Sequence, residues 1–379
     1  MPSRGPPAYF RKIGLADLAW LHGAELGVVH ERSLGPVRVP VPPLRFGRTF
    51  LDHWTVREEP AGVSWREDAY ESMSPAVFSI RNALVHSSAG IACVGGFVVA
   101  DTLALADPGV HGFEDVGDGI LIAPAYAGSL AGTHMSALTG AGSNHYHMLV
   151  DGIGRLSAAA PGTATGVLYP AGAPTAAHDA LCGLWNARRI AVATDASLHV
   201  EMLVLAPSAH GQCDFHPSLA DLFRGVLTPA LVRHGAAQPR AFYVSRAAAG
   251  ARWLMNEGAV TAALHAIGIV PVVLEGMSLA DQATLFAGAR LIVAPHGAGL
   301  ANLLFAPPDC AVLELQMDAY CVWCYRRLSA VMGLRYDCVV GRGDRPWTDL
   351  SQAVHGMTWQ VSVAHVAAAA QTLLAESAV

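Results

Sequence analysis

Short apolar runs broken by turn residues fill positions 76–125. The runs at 91–100, 102–106 and 119–123 predict strands and hairpins. The rhythm then changes. A helix is predicted over about 145–158, ahead of a series in which 166–169, 189–193 and 201–206 read as strands and 175–186 as a helix. Strands alternating with helices predict a parallel sheet with helices on its faces. A second series starts with a strand at 241–245. A helix over 252–267 follows, with Trp253, Val260, Leu264 and Ile267 at helical spacing. Next come a strand at 269–274 and a helix from Ser278 through 287, with Asp281 placed as a capping-box-like acid. A strand at 291–294, a short helix at 299–305 and a strand at 311–315 complete the series. The last 20 residues, rich in Ala and Leu, read as a terminal helix. Residues 1–60 read as irregular, with proline-rich joints at 36–43. Positions 207–239, with His210, His216, His234 and several prolines, are the best linker candidate.

Two α/β halves in tandem predict two doubly wound domains facing a cleft, with ligands at the carboxyl ends of the strands. Residues 1–235 form the N-terminal domain in this reading, its first 75 positions irregular. Residues 236–360 form the C-terminal domain, and 361–379 the terminal helix. A length of 379 residues suits two domains of about 150–200 residues each. Hydrophobic residues at 53% and charged residues at 14% fill large cores and argue against disorder. A net charge of −6 gives no general reason to bind nucleic acid, although a local basic pocket can hold a small anion.

The seven cysteines show no framework spacing, and Cys321 and Cys324 form a lone CxxC without a second pair for zinc. Buried, reduced thiols are expected, which fits a cytoplasmic location. No signal peptide is read at the start. Positions 119–150 lack Asp, Glu, Lys and Arg, yet they hold Gly, Ser, Thr, Asn and three histidines, His134, His145 and His147. That mix predicts buried core and a site-lining loop rather than a transmembrane segment. Peripheral contact with the inner face of a membrane stays open, as does the oligomeric state.

Three clusters carry candidate chemistry. In the first, a buried strand runs into Pro295-His296-Gly297-Ala298-Gly299-Leu300-Ala301-Asn302. The glycines let backbone close on a ligand, and the N–H groups at a helix start favour a phosphate. His296 can hydrogen-bond a phosphate or the substrate. Glu314, at the end of the next strand, is placed to accept from ribose hydroxyls. A tight turn that needs glycine, with a satisfied core histidine, explains the same residues without a ligand. The second cluster is Ser245-Arg246, followed by Arg252, Asn256 and Glu257. Arginine suits bidentate phosphate contact, whereas solvated charges at a helix start are the plain alternative. The third is Asn144-His145-Tyr146-His147-Met148-Leu149-Val150-Asp151. His147 and Asp151 lie one helical turn apart and can form an acid/base pair, or simply a surface contact. Asn144 and His145 would stand on the acceptor side. No third ligand accompanies His145 and His147, and no HExxH or Asp-x-Asp occurs, so no metal site is expected.

In order, Asn144-x-Tyr146-His147-x-x-x-Asp151, Phe242-Tyr243-Val244-Ser245-Arg246, Asn256-Glu257, Gln282, Ala294 through Leu300, Asn302, Phe305, Pro307 and Glu314 resemble the glycosyltransferase 61 (capsular polysaccharide biosynthesis) family over about 140–335. Two positions depart from the family pattern. Ala301 stands where the family often has Thr, removing a hydroxyl from the helix start, and Met148 where it often has Trp, changing the acceptor-side wall. The resemblance implies a GT-B-like fold and an inverting transferase that moves a sugar from a nucleotide sugar, UDP- or GDP-linked, to a glycan hydroxyl. It implies no cofactor and no catalytic metal. The leaving diphosphate would then rest on Arg246, Arg252 and the 297–302 turn. Asp151 is the expected base, oriented by His147, with the roles open to exchange. The rivals are a dinucleotide-dependent oxidoreductase and a non-catalytic nucleotide- or sugar-binding protein. For the first, Gly297-Ala298-Gly299 begins a GxGxxG-like turn with Glu314 at a ribose-acid distance, but Asn302 replaces the third glycine. A serine hydrolase ranks lower, because no GxSxG elbow exists.

Overall fold

The computed structural model describes residues 5–53, 56, 58–59, 63–160, 162–207, 213–233, 235, 238–247, 249–344 and 356–377. They form a mixed α/β protein with parallel strands, divided into two units. The first is Met1–Val37, Met73–Gly211 and Gly225–Ala230. The second is Arg38–Ser72, Gln212–Arg224 and Leu231–Val379. A division at 235/236 would assign Arg38–Ser72 and Gln212–Arg224 to the N-terminal half, whereas here they lie in the second unit.

An 11-stranded sheet spans the first unit. Four neighbours, Arg188–Val192, Gly166–Pro170, Tyr126–Ser136 and Ser197–Leu205, run parallel. This is the βαβ stretch expected from 166 onward, with Ala176–Trp185 as its helix. Ala76–His86 then pairs antiparallel with Ser197–Leu205 and with Ile91–Val94, so the hairpins expected around 76–125 extend the parallel part. The sheet is therefore mixed, not the simple doubly wound one that the βαβ rhythm suggests. Alternate residues such as Phe78, Ile80, Leu203 and Leu205 pack into one core on a single face of the paired strands.

Three expectations in or beside this unit change. The described part of 1–60 holds regular elements: Ala8–Ile13 and Val28–Ser33 are strands and Leu15–Leu26 is a helix. Ala8–Ile13 pairs with Gly119–Ile122 and Phe97–Val99, partners too distant in sequence for local pattern to reveal. The strand expected at 102–106 is absent. Thr102 Oγ1 donates to Val99 O (2.6 Å) and accepts from Ala92 N (3.1 Å), which turns the chain into the short helix Ala100–Thr102. Finally, the described core of the linker candidate is packed. Phe215, Phe223 and Leu227 are fully buried and the helix Ser218–Leu222 runs through it, while His210 and His234 fall outside the described residues.

In the second unit, seven strands lie in the order Trp253–Leu254, Thr358–Gln360, Arg335–Gly343, Ala311–Met317, Leu291–Pro295, Ala241–Val244, Val270–Val272. The last five are mutually parallel. Numbered along the chain from Ala241–Val244, their spatial order is 2-1-3-4-5, a doubly wound arrangement. Its topological switch point falls between the first and third strands, Ala241–Val244 and Leu291–Pro295. Leu291, Val293, Leu313 and Val339 fill the core on one face of the sheet, with Ala369, Ala370 and Leu373 of the terminal helix Val363–Glu376. The helix expected over 252–267 starts only at Glu257 and ends at Ala266. Trp253–Leu254 is a strand instead, because it pairs with Thr358–Gln360 from the far end of the chain.

Arg38–Ser72 is bound tightly to this unit. The Asp337 carboxylate accepts from the backbone N–H groups of Arg45, Phe46 and Gly47 at the start of the helix Phe46–Leu51. Arg326 donates to the carbonyls of Pro42 (2.9 Å), Trp65 (3.0 Å) and Glu67 (3.0 Å). Arg327 pairs with Glu67 and Asp214. Both arginines belong to the helix Cys324–Val331, whose placement matters below. All seven cysteines are buried free thiols. Among the described residues no helix is long and apolar enough to cross a membrane.

Candidate active site

At the switch point of the second unit, the chain leaves one strand through Ser245-Arg246 and the other through His296-Gly297. A Cβ built on Gly297 would fall on the Arg246 guanidinium, so any larger residue there would have to displace that side chain. Gly299 closes on Leu274 in the same way. The helix Ala298–Phe305 begins at once, wound as a 3₁₀ helix. Its turn is fixed from below by Tyr325, whose hydroxyl donates to Gly297 O (2.7 Å) and whose helix carries the anchoring Arg326 and Arg327.

His296 is bound through Nδ1 to Glu314 Oε1 at 2.6 Å, with 12% of the histidine side chain exposed and none of the carboxylate. Glu314 also accepts from Tyr336 OH and from Gln316 Nε2 (3.2 Å). The ribose role expected for Glu314 thus meets a buried carboxylate whose oxygens already serve His296, Tyr336 and Gln316. Nδ1, the nitrogen that faces the Glu314 oxygen, is the one placed to carry the proton. Burial pushes the His296 pKa below its ordinary value. The Glu314 hydrogen bond and charge oppose this, and the charges of Arg252 and Arg246 add to it. Arg246 is likewise lowered, first by burial and then by the nearby Arg252. The Arg252 charge thus bears on both Arg246 and His296, and a bound anion would offset it. Arg252, His296, Met317, Tyr320 and Trp359 line one small pocket here.

Not every expected residue faces that space. Glu257 Oε1 accepts from Tyr243 OH (2.9 Å), Ser245 Oγ (3.0 Å) and Arg246 N (2.8 Å), so it shapes the turn that presents Arg246. Asn256 donates to Val361 O (2.7 Å) and accepts from Val361 N (3.3 Å), tying the 252–256 segment to the C-terminal strand. Asn302 is fully buried and donates to Gln282 Oε1 (2.8 Å) and Gly299 O (3.0 Å). Gly297, Ala298 and Gly299 form the turn itself.

In the first unit, Asn144 caps the helix at His145 by accepting from Tyr146 N (2.9 Å), and His145 is half-buried beside it. The predicted helix is continuous to Ala158 but changes pitch: His145–His147 is α, Met148–Ile153 π and Gly154–Ala158 3₁₀. Such π segments are frequent at functional sites. Gly152 sits where a Cβ would press on Ala137 O at 2.9 Å, holding the segment against the chain that follows the strand Tyr126–Ser136. His147 Nδ1 meets Asp151 Oδ2 at 2.6 Å, with 18% of the histidine exposed and none of the aspartate. Arg155 was not among the expected residues. It donates through Nε to Asp151 O, and burial draws its pKa down to about 10 against the opposing charge of Asp151. Its spacing of four from Asp151 was visible in the sequence.

The same construction, a partly exposed histidine on a buried carboxylate, thus occurs in each unit. Residues 145–313 match the family model described as Glycosyltransferase 61. Over that stretch the chain is similar to the glycosyltransferase 61 family. The match covers somewhat under half of the chain and lies inside the stretch of about 140–335 that carries the resemblance. It contains His147, Asp151, Arg246, Arg252 and His296, and ends one residue before Glu314. The protein is accordingly a glycosyltransferase, acting on sugar substrates. No curated protein matches the chain significantly.

Proposed function

We propose that this family 61 glycosyltransferase is an inverting enzyme of GT-B type that takes its sugar from a nucleoside diphosphate and needs no metal. The single observation that carries the donor reading is the convergence of Arg246, Arg252 and His296 at the switch point of a 2-1-3-4-5 sheet. The two arginines receive the diphosphate and stabilise it as it leaves. Neutral His296, protonated on Nδ1, offers Nε2 as an acceptor. It suits a hydroxyl of the donor rather than a phosphate oxygen.

The first unit serves the acceptor. Asp151 is wholly buried, whereas His147 keeps part of its surface exposed. The base is therefore His147, through Nε2, and Asp151 orients the ring and stabilises its protonated form. This exchanges the roles expected from sequence. The acceptor oxygen forms its bond to the anomeric carbon while its proton passes to Nε2. The bond to the diphosphate breaks, and the nucleoside diphosphate leaves with the electron pair. A glycan of capsule or polysaccharide type is the proposed acceptor. The interior location proposed for such a donor is the cytoplasm, at or near the inner face of the membrane.

Product formation after EDTA treatment and dialysis tests the metal-free reading. Turnover is expected to stay near its untreated value, because arginine carries the diphosphate charge. Complete loss, restored only by Mg²⁺ or Mn²⁺, would overturn it.

A further inference from the structure

Arg252 has a positive φ of 52°, in the left-handed region that a residue with a side chain adopts only at a cost. Three sets of contacts hold the residue there. Trp359 Nε1 donates to Arg252 O at 2.9 Å. The next residues, Trp253–Leu254, pair in parallel with Thr358–Gln360, and Met255 N donates to Trp359 O at 2.9 Å. The guanidinium carbon lies over the Tyr320 ring at 4.7 Å, while the same ring meets His296 edge-on at 5.6 Å. Both aromatics come from outside the family-matched segment, and both line the pocket shared by Arg252 and His296.

A chain held in a strained conformation by a buried indole, with its charge laid on an aromatic face, is preorganised: its orientation is fixed before a ligand arrives. We propose that Tyr320 and Trp359 are positioning residues that fix Arg252 to receive the diphosphate, so that the C-terminal strand Thr358–Gln360 sets donor affinity. The inference rests on the donor reading above. Burial of Trp359 also serves the core, which a plain packing role would explain. The two roles differ in what happens when Arg252 is absent.

The test is calorimetric binding of pyrophosphate, UDP and GDP to the full chain, with melting temperatures alongside. Arg246→Ala and Arg252→Gly should each weaken binding about tenfold or more. Trp359→Phe, which keeps a ring but loses the N–H, should weaken it about two- to tenfold, as should Tyr320→Leu. In an Arg252→Gly background, Trp359→Phe and Tyr320→Leu should cause no further loss, since nothing remains to position. Arg252→Gly should also melt about 2 °C above Arg252→Ala, because glycine removes the strain. Two outcomes overturn the positioning role. One is Trp359→Phe and Tyr320→Leu both binding like the parent while the arginine variants fail. The other is either aromatic variant giving the same loss with and without Arg252. Arginine variants that bind all three probes normally, or a parent that binds none, would overturn the donor reading itself.

Discussion

His147 and Asp151 differ in exposure though they share one hydrogen bond, and the roles proposed for them rest on that difference. A carboxylate with no accessible surface cannot take a proton from a bulky acceptor, but it can hold an imidazole that does. His147→Ala should lower turnover by about 10² to 10⁴ and leave nucleotide affinity near that of the parent. Asp151→Asn should also lower turnover, because the amide no longer fixes the ring nor stabilises its charge. Steady-state rates and calorimetry on the same preparations separate the two effects. Normal turnover in His147→Ala would return the base to another residue. A parallel loss of nucleotide affinity would show that the pair belongs to donor binding instead.

At the scale of elements, the strand ends matter most. The turn at 297 is shaped by what lies against it, so Gly297→Ala places a methyl on the Arg246 guanidinium and must displace it. Loss of nucleotide binding about as large as that of Arg246→Ala is expected, with the melting temperature little changed. Intact binding would detach the turn from the site. Much of this architecture was legible in the chain. The strands near 241, 270, 291 and 311, and the cap Ser278, whose Oγ accepts from Asp281 N, follow from local periodicity and turn chemistry. The elements that were not legible depend on distant partners. Ala8–Ile13 pairs some hundred positions away, and Trp253–Leu254 became a strand because of Thr358–Gln360. The site divides the same way. Arg246, Arg252, His296, His147 and Asp151 stand in readable motifs, whereas Tyr320, Tyr336 and Trp359 show their roles only once folding brings them beside those residues.

At the scale of the molecule, two histidines, the buried His178 and the largely enclosed His296, tie stability to pH. Burial lowers the pKa of both His178 and His296 below the ordinary 6.5. Between 6.5 and their folded values the unfolded chain binds more protons. Their contribution to stability is therefore complete above that range and is lost as pH falls through it. Urea unfolding from about pH 8 down to about pH 5 should show declining stability, and His178→Asn or His296→Gln should flatten the decline. An unchanged slope in both variants would place the sensitivity elsewhere. Asp214 and Asp318, raised mainly by burial, act with the opposite sign at more acidic pH.

The most direct test of the account is equilibrium binding of UDP, GDP and NAD to the parent and to Arg246→Ala. It separates a sugar-nucleotide transferase from a dinucleotide enzyme before any acceptor is known. The account predicts that UDP or GDP binds in preference to NAD, and that Arg246→Ala weakens this binding by about 1.5 to 3 kcal/mol. Preferential binding of NAD, or nucleoside diphosphate affinity that survives loss of Arg246, would contradict it.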